Sequence, residues 1–82
     1  MDVKRVISAY EKNGSKLLSE FSIDSLPLKR IKEIVAPNKG DLGLYQVYPI
    51  GETELKALVV LCPEMKKFDL SKVDLYYECF KT

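Results

Sequence analysis

A short turn signal near the N-terminus constrains the fold of this 82-residue chain more than any other feature. Asn13-Gly14 stands between two strand-like runs, and both residues tolerate the positive φ that a two-residue type I′ turn requires. We therefore predict a β-hairpin centred on this dipeptide. Counting outward from the turn pairs Tyr10 with Leu17 and Val6 with Phe21.

This register divides the hairpin side chains between two faces, because successive residues of a strand lie on opposite sides of a sheet. The face predicted to form the core carries Val6, Tyr10, Leu17, Phe21 and Ile23. The face predicted to lie outward carries Ile7, Ala9, Leu18 and Glu20. We assign the first set to the core because exposing it would leave an unusually large apolar patch on a monomer.

The rest of the chain alternates between helix and strand patterns. Apolar spacing predicts a short helix over 27–35, and β-branched and aromatic content predicts a strand over 44–48. Apolar residues recur at i, i+3, i+4 and i+7 within 52–62, which predicts a second helix. A buried strand over 57–62 is the alternative, because consecutive aliphatic residues fit either structure. Strict alternation predicts a last strand over 73–80.

The resulting order, β-β-α-β-α-β, predicts one α+β domain spanning 1–82. Its architecture is two-layered: a four-stranded antiparallel sheet with one or two short helices on one face. A chain this short holds a single core. Because the helices pack on one side, the second face of the sheet is left partly exposed.

The usual catalytic and metal-binding patterns are absent from the sequence. It contains no histidine, and its two cysteines, Cys62 and Cys79, do not form a CxxC pair. Asp74 and Glu78 lie four residues apart on a strand, about 13 Å between Cα atoms, which exceeds the separation of a glycosidase pair. We therefore expect no enzyme activity, no metal and no cofactor, and we expect the cysteines to be small buried hydrophobes rather than a disulfide.

The charge balance predicts no general attraction to nucleic acid or to a membrane. Thirteen basic and twelve acidic residues leave a net charge of +1. The longest apolar run, 57–62, is too short to span a bilayer, and no secretory signal pattern opens the sequence. We expect a cytoplasmic protein. RNA binding through Lys29, Arg30 and Lys32 is a minor alternative, because neighbouring acids favour a solvated face there.

The partly exposed sheet face is the candidate site, because it mixes aromatic residues with acids as protein interfaces do. The predicted partner-binding residues are Glu20, Gln46, Tyr48, Asp74, Tyr76 and Glu78. A homodimer formed through the same face is the alternative to a different protein partner.

Three stretches of the sequence resemble the cloacin-type immunity proteins. Residues 10–17 (YEKNGSKL) are similar to the first hairpin of that family, and 69–76 (DLSKVDLY) are similar to the entry into its last strand. Residues 43–47 (GLYQV) lie where the family has a Gly-aromatic-aromatic-Asp-Val strand. Together these stretches cover about a quarter of the chain.

The resemblance implies a small cytoplasmic bacterial inhibitor that binds and neutralises a cognate toxin, with a nuclease as the expected target. It also implies a four-stranded antiparallel sheet whose exposed face contacts the toxin. The sequence departs from the family in its neutral charge, in Gln46 at the position of an acid, and in a longer segment before the last strand. The family places its aromatic at the Tyr10 position, and its partner at Leu17, toward the toxin, whereas the apolar pattern predicts both in the core.

Overall fold

A helical layer packs on one face of a four-stranded antiparallel sheet in the computed structural model, which describes residues 2–82. The elements in chain order are β1 (Val3–Glu11), β2 (Leu17–Ser22), α1 (Leu28–Ile34), β3 (Tyr48–Ile50), α2 (Glu52–Leu61), a 3₁₀ helix (Pro63–Lys67) and β4 (Val73–Lys81). This architecture confirms the predicted α+β class. It also confirms that 52–62 is helical, and the alternative of a strand over 57–62 is wrong.

The two longest strands form the centre of the sheet, whose order is β2-β1-β4-β3. β1 and β4 pair along their full length, from Val3 opposite Lys81 to Glu11 opposite Val73. β2 and β3 are the edges. Pro49 lies within β3, which is compatible with an edge strand because proline has no N–H to donate to a neighbour.

The hairpin forms, but the predicted two-residue turn and most of its register are wrong. The loop contains four residues, 12–15, closed by hydrogen bonds from the Glu11 N–H to the Lys16 carbonyl and from the Gly14 N–H to the Glu11 carbonyl, both 2.9 Å. Of the predicted turn pair, only Asn13 has positive φ, at 58°. Tyr10 does pair with Leu17.

A β-bulge then shifts the register by one residue. Ala9 pairs with Ser19 while Tyr10 pairs with Leu17, which leaves Leu18 as the extra residue of β2. Beyond the bulge, Ile7 rather than Val6 lies opposite Phe21. Because a shift of one residue reverses the faces of one strand relative to the other, the core side of β1 differs from the prediction.

The helix-covered face carries Ile7 and Ala9, which were predicted to lie outward, together with Phe21 and Ile23 as predicted. The buried core residues are Ile7, Ala9, Ile23, Ile31, Val35, Leu44, Tyr48, Ile50, Leu58, Met65, Leu75 and Tyr77. Tyr10 and Leu17 lie outside this cluster, and Leu17 is 45% exposed. Cys62 and Cys79 are partly buried free thiols that pack against the core.

The strand predicted over 44–48 is wrong for residues 44–47, which form a loop, and β3 begins only at Tyr48. The Asp41 carboxylate accepts hydrogen bonds from the backbone N–H groups of Tyr45 (2.8 Å) and Gln46 (3.1 Å) and from the Tyr48 hydroxyl (2.6 Å). These two N–H groups are therefore satisfied by a side chain instead of a neighbouring strand.

A second set of hydrogen bonds attaches the same loop to β1 and β4. The Arg5 side chain donates to the Gly43 carbonyl (3.0 Å) and to the Tyr77 hydroxyl (3.1 Å), and that hydroxyl donates to the Leu44 carbonyl (2.7 Å). Burial raises the pKa of Tyr77 to about 12, so its hydroxyl stays protonated as a donor. The loop is thereby tied to both central strands.

We predict that Asp41→Asn lowers the stability of the fold and flattens its acid dependence. The hydrogen bond from Tyr48 holds the folded-state pKa of Asp41 below its ordinary value of 3.8. The stability that this charge contributes is therefore present above the unfolded-state pKa and is lost as pH falls through the folded-state pKa. Urea denaturation followed by circular dichroism should show a lower midpoint at neutral pH and a shallower decline on acidification.

The matched control is Glu64→Gln, which neutralises an exposed carboxylate that has no hydrogen-bond partner among residues 2–82. It should leave the midpoint and the acid dependence unchanged. If Asp41→Asn and wild type decline equally on acidification, Asp41 does not stabilise the loop through its charge.

Candidate functional site

The sheet face opposite the helices, which we call the open face, is built from alternate residues of β2, β1 and β4. Residues paired across strands lie side by side on one face, so the open face forms rows across the sheet. The rows are Lys4 and Phe80; Ser22, Val6 and Glu78; Glu20, Ser8 and Tyr76; and Leu17, Tyr10 and Asp74. Four of the six residues predicted to bind a partner, Glu20, Asp74, Tyr76 and Glu78, lie together on this face.

The Tyr10 side chain lies diagonally across the open face. Its hydroxyl donates a 2.8 Å hydrogen bond to Oε1 of Glu78, two rows away, and its ring meets that of Tyr76 edge-to-face at 5.7 Å between centroids. A side chain that spans this distance covers the residues between. This explains why Val6 and Ser8 are 0% exposed although no helix packs on their side of the sheet.

Within residues 2–82, Glu78 and Glu20 are the acids of the open face that form no salt bridge, and they outnumber Lys4, its unpaired cation. No Lys or Arg of residues 2–82 lies within salt-bridge distance of either carboxylate. The pKa of Tyr10 is raised, first by its hydrogen bond to Glu78, then by burial and by the charges of Glu78 and Glu20. Tyr10 therefore remains a protonated donor that holds Glu78 in place.

Asp74 differs from these two acids because its charge is already used within the chain. Its carboxylate accepts from the Asn13 backbone N–H (3.0 Å) and pairs with Nζ of Lys12 (3.0 Å). The Asn13 hydrogen bond, followed by that of Lys12, lowers the pKa of Asp74. Asp74 thus fastens the hairpin loop to β4, and Glu20 and Glu78 are the uncompensated acids of the face.

The predicted positions of Gln46 and Tyr48 on the open face are wrong. Tyr48 is 6% exposed and pairs with Tyr77 on the helix-covered side. Gln46 lies in the loop before β3, where its side-chain oxygen accepts from Nδ2 of Asn38 at 3.2 Å. Gln46 is misplaced because β3 begins at Tyr48 instead of 44, and Tyr48 is misplaced because its pairing opposite Tyr77 turns it toward the core.

The pattern of apolar residues missed two members of the site, Tyr10 and Ser8. Their placement depends on the bulge, which shifts Tyr10 out of the predicted core. The resemblance to cloacin-type immunity proteins did contain the signal for Tyr10, since it places an aromatic residue there on the partner-binding face. Nothing in the sequence pointed to Ser8.

Ser8 has an unusual environment at the centre of the open face. Its hydroxyl oxygen is buried and forms no hydrogen bond of good geometry within residues 2–82, although its weak interaction with the Tyr10 hydroxyl opposes the rise in the pKa of Tyr10. An unpaired buried hydroxyl is unfavourable by about 1–3 kcal/mol. The centre of the face therefore holds an unused polar group beneath Tyr10.

Two other properties bear on what the site can do. Residues 2–82 contain no cluster of three or more His, Cys, Asp or Glu side chains that could hold a metal ion. No helix in the same part of the chain has the length and apolar content needed to cross a membrane.

Residues 4–78 match the model of a family described as a domain of unknown function, DUF7683. The chain belongs to this family. No curated protein and no solved structure matches it. The DUF7683 description assigns no activity.

We predict that Ser8→Ala is neutral to stabilising, by up to about 1 kcal/mol, because it removes an unpaired polar group from a buried position. The control, Ser19→Ala, changes an exposed serine on the neighbouring strand and should alter stability by less than about 0.5 kcal/mol. Urea denaturation of both variants measures the effect. A clear loss of stability in Ser8→Ala would show that the hydroxyl is hydrogen-bonded in solution.

Proposed function

We propose that this DUF7683 protein is an immunity-type inhibitor whose open face binds a cognate bacterial toxin, with a nuclease as the expected target. The main support is the Glu78 carboxylate, which is oriented by the Tyr10 hydroxyl, follows Tyr76 on the same face of β4, and makes no salt bridge within residues 2–82. An oriented, uncompensated carboxylate between aromatic rings suits a basic side chain of a partner.

The mechanism is occlusion of a basic active site. Arginine binds carboxylates through two parallel hydrogen bonds and stacks on aromatic faces, so Glu78, Glu20 and Tyr76 present complementary groups to it. A nuclease carries such residues to bind phosphate, and the two carboxylates take the place of the phosphate charge. Because Tyr10 already holds Glu78, little side-chain entropy is lost on binding.

The shape of the open face favours a protein partner over a small molecule. The face is a sheet surface rather than a cleft, and small ligands bind in concave sites. Aromatic residues at the centre with charged residues around them are typical of protein interfaces. In this proposal the protein acts in the cytoplasm, without catalysis or a cofactor.

A homodimer is the second candidate, and the edge strand β2 supports it better than the open face does. Leu17 and Leu18 on this edge are 45% and 51% exposed, and unpaired edge strands associate with other strands. Across the open face, a two-fold interface would bring Glu20 and Glu78 toward their own copies, which like-charge repulsion opposes.

Charge reversal on the open face tests the inhibitor proposal. The tagged protein is co-expressed with the neighbouring gene and purified from its source lysate, as wild type and as Glu20→Lys plus Glu78→Lys. We expect wild type to recover a toxin whose nuclease activity it inhibits, and the variant to bind it at least about thirtyfold more weakly, near 2 kcal/mol. Glu20→Lys alone retains the Tyr10–Glu78 hydrogen bond. It therefore separates the effect of the charge on the open face from the effect of the orientation of Glu78.

The control, Glu33→Lys plus Glu64→Lys, makes the same change in net charge at exposed positions outside the open face. It should bind the toxin like wild type. Equal binding by the open-face variant would contradict the proposed site. Recovery of the chain alone, with a dimer mass in solution, would favour the homodimer.

A further inference from the structure

A groove with an apolar floor lies in the helical layer, away from the open face. It runs between α2, the 3₁₀ helix and the turn that leads into β4, and its volume is about 950 Å³. Its floor is formed by Leu55, Val59, Phe68 and Leu70, which are partly buried and pack against the core. The groove exists because Leu55 and Val59, one turn apart on α2, face the turn without a side chain filling the gap.

Lysines form most of the rim of this groove: Lys56, Lys66, Lys67 and Lys72. Within residues 2–82, three of them, Lys66, Lys67 and Lys72, have no acidic partner at salt-bridge distance. The fourth, Lys56, pairs with Glu52 at 3.4 Å. The rim therefore carries an excess of positive charge.

The two acids on the rim offset only half of the charge of its four lysines. Glu52 pairs with Lys56, and the Asp69 carboxylate accepts hydrogen bonds from the Ser71 N–H (2.9 Å) and hydroxyl (2.7 Å). These bonds, the hydroxyl first, lower the pKa of Asp69 and fix it as a turn residue.

Lys67 is held in position by two aromatic rings. Its ammonium lies 5.4 Å from the centroid of Phe68 and 5.5 Å from that of Phe21. The aliphatic stem of such a lysine covers apolar surface while its charge remains in water. The groove thus combines an apolar floor with at least one oriented cation on its rim.

We propose that this groove binds an acidic peptide segment of a partner protein, with apolar side chains on the floor and carboxylates facing the lysines. Charge complementarity selects an acidic partner. The volume lies at the upper end of the range for small-ligand sites, which suits several residues of chain. Three of the four floor residues are aliphatic, so the floor does not provide the stacking surfaces that single-stranded nucleic acid requires.

This site is independent of the open face and lies in the other layer of the fold. The net charge of +1 conceals the difference between the two surfaces, because acids on the open face offset lysines around the groove. The protein can therefore bind a basic partner on the sheet and an acidic segment on the helices at the same time.

Panning a library of random short peptides displayed on phage against the full chain tests the proposal. We expect the enriched peptides to combine acidic and large apolar residues. A synthetic copy of the most enriched peptide should shift the backbone amide NMR signals of 66–72. Its affinity should fall at least about tenfold in Lys66→Glu plus Lys72→Glu, since each reversal replaces attraction by repulsion.

The control, Lys29→Glu plus Lys39→Glu, makes the same change in net charge at exposed lysines outside the groove and should leave the affinity unchanged. Glu20→Lys plus Glu78→Lys should also retain the peptide, which separates this test from that of the open face. Failure to enrich acidic apolar peptides, or equal affinity in the groove variant, would overturn the proposal. So would tighter binding of RNA or anionic lipid vesicles through the same lysines.

Discussion

The one-residue bulge between β1 and β2 determines what each side of the sheet does. With Leu18 accommodated as an extra residue, Ile7 and Ala9 join the core, and Tyr10 lies on the opposite face. From there Tyr10 reaches across two rows to Glu78, covers Val6 and Ser8, and orients the acid on which the proposed function rests. Without the bulge, Phe21 would lie opposite Val6 and therefore on the same face as Tyr10 instead of beside Ile7.

The hydrogen bonds of Asp41 determine where β3, the other edge strand of the sheet, begins. The Asp41 carboxylate accepts hydrogen bonds from the N–H groups of Tyr45 and Gln46, so these groups do not pair with a neighbouring strand. β3 therefore begins only at Tyr48. β3 is consequently a three-residue edge that leaves most of the outer side of β4 without a partner strand. The open face is therefore formed mainly by β2, β1 and β4, which carry its acids and tyrosines.

The sequence patterns predicted the layers of the fold better than its registers, for physical reasons. The apolar spacing within 52–62 and the alternation of 73–80 describe single elements, and both correspond to α2 and β4. The bulge at Leu18 depends on pairing between two strands, and the Asp41 hydrogen bonds depend on the conformation of a loop; periodicity encodes neither. The prediction placed Glu20, Tyr76 and Glu78 correctly on the open face. Glu20 lies on the outer side of the hairpin in both the predicted and the observed register, and Tyr76 and Glu78 follow the regular alternation of β4. Tyr48 was misplaced because its face depends on the pairing of β3 with β4, which puts it opposite Tyr77.

The most direct test of this account is a nuclear Overhauser spectrum of the free protein, read at the ring protons of Tyr10. We predict contacts from that ring to the methyl groups of Val6, to Ser8 and to the ring of Tyr76, with Ala9 opposite Ser19 across the hairpin. Contacts from Tyr10 to core residues such as Ile31 or Leu58, with Val6 opposite Phe21, would contradict the account. In that case the bulge would be absent and the open face would carry different residues.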